Sequence, residues 1–222
     1  MECSVVEYTL DYTFFDCPKS SSDYICLIVL NQPFKLSLFQ MLYELADYKI
    51  YADGGSNFVK KIVGEEALSK YKPDLIIGDF DSIEKEAEKS MLELGIKFLR
   101  KPDEDHTDSE KALIFLEEEI IPKVVDKSIR VIVLGAFGGR MDHTMYNIHL
   151  LWKKIKDGPM KYNLFMLNNG NLMTGIAKGH TIIKIPKKFT PANGCGVIPI
   201  GKCEHIKTKG LKYDMGKLIY NV

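Results

Sequence analysis

Lys49-Ile-Tyr-Ala-Asp53-Gly-Gly-Ser-Asn57 joins a short apolar strand to a glycine turn and then to a helix start, and this grammar recurs along the chain. Residues 49–52 read as strand, Asp53-Gly54-Gly55 as turn, and a helix follows from Ser56. Downstream, residues 74–77 form a strand, 82–94 a helix and 96–99 a strand. Thr107-Asp-Ser-Glu110 is a capping-box pattern that opens a helix carrying Ala112, Leu113, Phe115 and Leu116. Residues 129–134 are a further strand, followed by a glycine-rich loop and a helix over 142–156. Upstream, residues 24–30 are a buried strand closed by Asn31-Gln-Pro33, and Leu36, Phe39, Leu42, Tyr43 and Ala46 keep helical spacing. Strand alternating with helix predicts an α/β fold around a parallel sheet covered on both faces.

Past Gly158-Pro159 the pattern changes to short β-type runs at 163–167, 172–176, 181–185, 197–200 and 218–220. The fold class is therefore α/β, an N-terminal parallel-sheet domain over residues 1–158 followed by a small all-β antiparallel sandwich over 159–222. The first twenty or so residues read as irregular.

Bulk composition narrows the function. Among 222 residues, 30 basic and 30 acidic side chains balance, which argues against nucleic acid as a partner and against an anionic membrane surface. The longest apolar run, residues 24–30, falls far short of the roughly 20 residues needed to span a bilayer. Cys3, Cys17, Cys26, Cys195 and Cys203 show no C-x-x-C spacing, which favours reduced thiols in a cytoplasmic protein over a disulfide framework or a zinc ribbon.

The acids collect at strand ends, where open α/β sheets bind their ligands. Successive strands deliver Asp53-Gly54-Gly55-Ser56-Asn57, Gly78-Asp79-Phe80-Asp81-Ser82, Asp103-Glu104-Asp105-His106-Thr107-Asp108 and Gly138-Gly139-Arg140-Met141-Asp142-His143. Two carboxylates about 4 Å apart repel by about 4 kcal/mol at an effective dielectric near 20, so such a group calls for protons or a cation. Oxygen ligands without histidine or cysteine spacing select magnesium or manganese, and magnesium is commonly completed by substrate phosphates. The neighbouring glycines let phosphate approach the backbone. Taken singly, each motif has a plainer reading as a turn or a helix cap, and His143 and His149 read as surface or capping residues.

Together the motifs resemble the thiamine pyrophosphokinase family, of the eukaryotic type. Ala52-Asp-Gly-Gly-Ser-Asn57 is similar to its ADGGAN, and Pro73-Asp-Leu-Ile-Ile-Gly-Asp-Phe-Asp-Ser-Ile83 to its P-D-x-I-x-G-D-F-D-S-I. Pro102-Asp-Glu-Asp-His-Thr-Asp108 with Lys111-Ala-Leu113, and Gly138-Gly-Arg-Met-Asp-His143 with Asn147, follow in family order. Leu30-Asn-Gln-Pro33 and Cys195-Gly-Val-Ile-Pro-Ile-Gly201 also match.

The resemblance implies an ATP-dependent, magnesium-dependent enzyme that gives thiamine diphosphate and AMP by in-line attack of the thiamine hydroxyl on the β-phosphorus. It implies Asp53, Asp79, Asp81 and Asp108 as metal ligands, with Asp79, Asp81 and Asp108 catalytic. Gly54, Gly55, Ser56, Asn57, Thr107, Lys111, Arg140 and Asp142 would line the ATP site beside Asp53. The small β domain would bind thiamine, Tyr213 standing where the family has tryptophan, and a homodimer would place the active site between subunits. Glu104 replaces the family's glutamine, and nothing up to Val222 matches its S-x-S-N segment. Two other functions share these motifs: pyrophosphoryl transfer to another acceptor, and a non-catalytic sensor of nucleotide or thiamine.

Overall fold

The structure is a computed structural model that describes residues 7–12, 15, 19–158, 160–168, 170–185, 194–200, 203–216 and 218–220. Residues Lys19–Lys178 form one compact unit, and Met1–Pro18 with Gly179–Val222 form a second.

The first unit is built on a seven-stranded sheet. Its strands are β2 (Asp23–Val29), β3 (Tyr48–Ala52), β4 (Leu75–Gly78), β5 (Phe98–Arg100), β6 (Ser128–Leu134), β7 (Asn163–Asn168) and β8 (Asn171–Thr174). Their order is β5-β4-β3-β2-β6-β7-β8. All neighbouring pairs are parallel except β7 with β8. Between them run α1 (Leu36–Leu45), α2 (Gly55–Val63), α3 (Glu65–Leu68), α4 (Lys85–Glu93), α5 (Asp108–Phe115) and α6 (Met141–Ile155). No helix among the described residues is long and apolar enough to cross a membrane.

The central strands are apolar throughout because both faces are covered. Cys26, Ile28, Ile50, Ala52, Val131, Val133, Leu164 and Met166 pack with Ala112 and Leu113 of α5 and with Leu150 and Leu151 of α6. Around α1, Phe39 sits against Phe34, Tyr43, Tyr51 and Tyr71. The buried Tyr51 hydroxyl donates to the Tyr71 carbonyl at 2.7 Å, so its burial leaves no unpaired polar group.

Three expectations change. The boundary expected at residue 158 falls elsewhere, because β7 pairs with β6 and β8 folds back on β7, carrying the sheet past it. The irregular N-terminus contains β1 (Glu7–Asp11), which pairs in parallel with β9 (His180–Lys184) in the second unit. That unit also holds β10 (Cys203–Ile206), antiparallel to β11 (Leu218–Tyr220), while residues 197–200 form no strand.

At the amino ends of β2 and β6 lies a shielded ion pair, Arg130 Nη1 to Asp23 Oδ1 at 2.5 Å, with side chains 6% and 13% exposed. Removing one member of such a pair leaves an uncompensated charge at low dielectric. Asp23→Ala is expected to destabilise the protein by about 3 kcal/mol, read from the urea midpoint at unchanged m-value.

Candidate active site

Outward from β2, the chain runs to β3, β4 and β5 in turn, then returns to β6 on the opposite side of β2. That reversal opens a crevice beyond the carboxyl ends of β2 and β6, the place where open α/β sheets take ligands. Gln32 after β2 and Gly139 after β6 meet there. A Cβ on Gly139 would lie 2.4 Å from Gln32 Oε1.

Asp53 follows β3 directly, Asp79 follows β4, and Asp108 is the first residue of α5, so three consecutive crossovers bring their carboxylates together. One oxygen of each lies within 4.8 Å of the others. Asp53 is fully buried at φ 43°, and its Oδ1 has no hydrogen-bond partner among the described residues. Its Oδ2 accepts a long bond from Ser82 N, at 3.5 Å. Such close approach requires glycine at 78, since a Cβ there would lie 2.7 Å from the Asp53 Cβ. Gly55 answers a similar need, because a Cβ would come within 2.3 Å of the Val29 carbonyl and push α2 off the end of β2.

Lys111, from the first turn of α5, supplies the nearby positive charge. Its buried Nζ donates to Asp79 Oδ2 at 2.8 Å and to Asp108 Oδ1 at 3.4 Å. One ammonium among three carboxylates leaves the cluster anionic. Burial pushes the Asp53 carboxyl up to about 7, with the Asp108 and Asp79 charges adding to the effect. Burial raises Asp108 as well, against the opposing pull of Lys111. Asp79 is held low by its bond from Lys111. Burial alone would lower Lys111, but Asp79 and Asp108 outweigh it and hold its pKa above the ordinary value.

The unpartnered Oδ1 and the all-oxygen donor set fit a hard divalent cation with open coordination positions. A cation there would replace the protons that otherwise relieve the repulsion.

Asp81 stands outside this group. Its carboxylate accepts from the Ser82 hydroxyl at 2.8 Å, and its N–H donates to Asp79 Oδ1 at 3.3 Å. Phe80, at φ 67°, is the turn that separates the two acids and sends Asp81 outward. Arg140 and Asp142 flank the start of α6 and are mostly exposed, paired Nη2 to Oδ2 at 2.5 Å. That pairing holds the Asp142 carboxyl down at about 2.

Ser56 is buried, its hydroxyl donating to the Asp53 carbonyl at 2.8 Å. Asn57 bonds the backbone of residues 82 and 84, and Gly54 sits at the cap of α2. Thr107 occupies the N-cap of α5, but the expected capping box does not form. Its hydroxyl meets Ser109 Oγ at 3.0 Å. Glu110 turns inward instead, where Tyr146 and Lys153 donate to its carboxylate. In the second unit Tyr213 is 80% exposed, with Lys212 Nζ 5.4 Å above its ring. Asp214 organises that turn, accepting from the N–H groups of Gly210 at 3.0 Å and Leu211 at 2.9 Å.

Two buried side chains were missed as organisers. Asn147 donates to the Ala136 carbonyl and accepts from Ser109 Oγ, both at 2.8 Å, tying α6 to α5 and to the loop after β6. Asn168 donates to the Phe137 carbonyl at 2.5 Å, bracing the same loop. For Asn147 the available signal was a polar residue on the inner face of a helix, whereas Asn168, the last residue of β7, looks like an ordinary strand end.

Comparisons with known proteins identify the family and the fold. A family model described as thiamin pyrophosphokinase, catalytic domain, matches residues 39–162. One described as thiamin pyrophosphokinase, vitamin B1 binding domain, matches residues 180–220. Thiamine pyrophosphokinase 1 of Arabidopsis thaliana is 30% identical over 200 residues, covering 85% of this chain and 72% of its own length. Thiamin pyrophosphokinase 1 of Caenorhabditis elegans is 28% identical over 207 residues, covering 92% of this chain and 79% of its own. The fold matches the crystal structure of yeast thiamin pyrophosphokinase with a TM-score of 0.78 at 23% identity, across 96% of this chain and 80% of that one.

An acid whose folded pKa lies above its unfolded value weakens folding as pH rises between the two, here from about 4 to about 7 for Asp53. In metal-free protein, Asp53→Asn is therefore expected to raise Tm at pH 8 by at least roughly 2–4 °C, about 1 kcal/mol. The gain should shrink towards pH 5, as thermal unfolding in EDTA will report.

Proposed function

The chain belongs to the thiamin pyrophosphokinase family, and on that premise we propose that it transfers the pyrophosphoryl group of ATP to the hydroxyl of thiamine, releasing AMP. The observation that carries the chemistry is the meeting of Asp53, Asp79 and Asp108 around a buried carboxylate oxygen, unpartnered among the described residues, beside the topological switch of the sheet.

Asp53, Asp79 and Asp108 would hold magnesium, with Asp81 beside them to orient its waters or the phosphates. Magnesium bound there supplies charge neutralisation for the phosphates and a fixed orientation for the β-phosphoryl group. The protein's own groups do the remaining work by position and charge. Lys111 keeps a permanent ammonium against Asp79 and Asp108, so it limits the repulsion that the triphosphate meets on entering. Arg140 is exposed at the end of the glycine loop and can exchange Asp142 for a phosphate oxygen at little desolvation cost. The N-terminus of α2, opening at Gly54, Gly55 and Ser56, and the start of α5 after Thr107 lie near the same sheet edge, where the helix dipoles favour phosphate.

The thiamine hydroxyl would attack the β-phosphorus in line, opposite the departing AMP oxygen. Its proton leaves to a neighbouring base or to water. Tyr213 is exposed, and the ring face away from Lys212 can take a cationic heterocycle. Residues 180–220 are accordingly assigned to acceptor binding and residues 39–162 to ATP and metal. A cytoplasmic homodimer, with the acceptor pocket completed by the second subunit, belongs to the same proposal. The free thiols of Cys26, Cys195 and Cys203 accord with a reducing compartment.

A coupled AMP assay with ATP and Mg2+ tests the reading. AMP formation is expected to require both thiamine and Mg2+, and Asp79→Asn is expected to lower kcat/KM by roughly 10²- to 10³-fold. AMP release indifferent to thiamine would point to another acceptor, and tight binding of both ligands without AMP to a sensor; either sinks the proposal.

A further inference from the structure

Asn57 sits in the first turn of α2, facing the loop that joins β4 to α4. Both ends of its amide are engaged by that loop. Nδ2 donates to the Ser82 carbonyl at 2.8 Å, and Oδ1 accepts from Glu84 N at 2.9 Å. A primary amide is the group that can give a donor and an acceptor to backbone positions two residues apart. An aspartate or a serine could not reproduce the pair.

The gripped segment is the one that carries Asp79. From Ser82 the contacts run inward: its N–H reaches Asp53 Oδ2 at 3.5 Å, its hydroxyl reaches Asp81 Oδ1 at 2.8 Å, and the Asp81 N–H reaches Asp79 Oδ1 at 3.3 Å. The loop also contains Phe80 at φ 67°, a conformation that an L side chain adopts at a cost and that persists only when its surroundings over-determine it. Two contacts do so. On the inner side Phe80 packs edge-on against Phe98, with ring centroids 5.4 Å apart. On the outer side the Asn57 amide holds the strand of backbone that follows.

Given the cation site proposed above, we infer that Asn57 is a positioning residue for the Asp79 carboxylate and not a nucleotide ligand. It holds the Phe80 turn in its strained form, and through Ser82 and Asp81 it keeps Asp79 within reach of Asp53 and Asp108. Without the amide, the Ser82 carbonyl and the Glu84 N–H turn to water, the turn relaxes, and the three carboxylates lose their common focus. Groups that orient metal ligands from outside the coordination sphere typically contribute 10- to 100-fold to metal affinity.

The test is a Mn2+ titration of the full chain without nucleotide, followed by electron paramagnetic resonance, alongside ATP binding measured calorimetrically in EDTA. Asn57→Ala is expected to weaken Mn2+ binding by roughly 10- to 100-fold and to leave metal-free ATP affinity within about two-fold of wild type. In an Asp79→Asn background the same change should have little further effect, because its influence passes through Asp79. Asn57→Asp keeps the acceptor for Glu84 N–H, loses the donor to Ser82 and adds a negative charge. Electrostatics alone would tighten Mn2+ binding in that variant, whereas loss of positioning weakens it, so it carries the test even if Asn57→Ala folds poorly. Mn2+ affinity unchanged in Asn57→Ala, a loss fully additive with Asp79→Asn, tighter binding in Asn57→Asp, or a drop in metal-free ATP affinity would each overturn the inference. Failure of wild-type protein to bind Mn2+ would instead remove the cation site, and the role of Asn57 with it.

Discussion

Repulsion among Asp53, Asp79 and Asp108 is the constraint to which the rest of the first unit answers. Three carboxylates converge, one of them fully buried, and among the described residues the Lys111 ammonium alone is paired with them. No arrangement of this kind is favoured by folding alone. It needs a rigid frame that holds each acid from its own strand end, and here β3, β4 and α5 supply one anchor each. The apolar strands behind them give that rigidity, since Ile50, Tyr51, Ile76 and Ile77 are entirely buried. Close packing of this order lets a charged cluster persist, because the cost of separating the strands exceeds the relief of moving the acids apart.

Sheet topology then decides where the cluster faces. With the reversal at β2 and β6, the loops after both strands border one crevice, and the acids after β3 and β4 lie on its flank. The loop after β6 is braced by Asn147 and Asn168, whose amides hold the Ala136 and Phe137 carbonyls. Arg140 at its end is left mostly exposed. The site is thus graded from a buried carboxylate fixed by backbone to an exposed guanidinium free to follow a ligand. That gradation suits a reaction in which the metal site is preformed and the phosphates arrive with their own charge.

Much of this was legible from local pattern. Alternation of apolar strand and amphipathic helix identified the parallel sheet, and the acids at strand ends pointed to the edge where three of them meet. What escaped was nonlocal or depended on a single torsion. The pairing of β1 with β9 joins segments separated by nearly the whole chain, and a five-residue strand in an irregular-looking terminus carries no mark of so distant a partner. β7 and β8 read as the start of a new domain because they open the run of short β-type segments past Gly158-Pro159, and periodicity does not say which sheet a hairpin extends. The resemblance grouped Asp81 with Asp79, and the left-handed Phe80 between them leaves the Asp81 carboxylate bonded to Ser82 rather than among the other three acids. Glu110 looked like half of a capping box, but Tyr146 and Lys153, both on α6, offered a drier and more complete set of partners.

Strain and burial concentrate where the chemistry is. Asp53 at φ 43° and Phe80 at φ 67° are two of only three non-glycine residues with positive φ among those described, and both belong to the loops that present the acids. A protein selected only for stability would replace them, since glycine would relax either turn and an amide at position 53 would end the repulsion. Their joint presence means that the free protein carries a local penalty that a bound cation and its phosphates can relieve. A cation bound as proposed would therefore couple ligand binding to the order of these loops. The same coupling explains why so many side chains near the acids, Ser56, Asn57, Ser82 and Lys111 among them, are spent on holding backbone or balancing charge within the first unit.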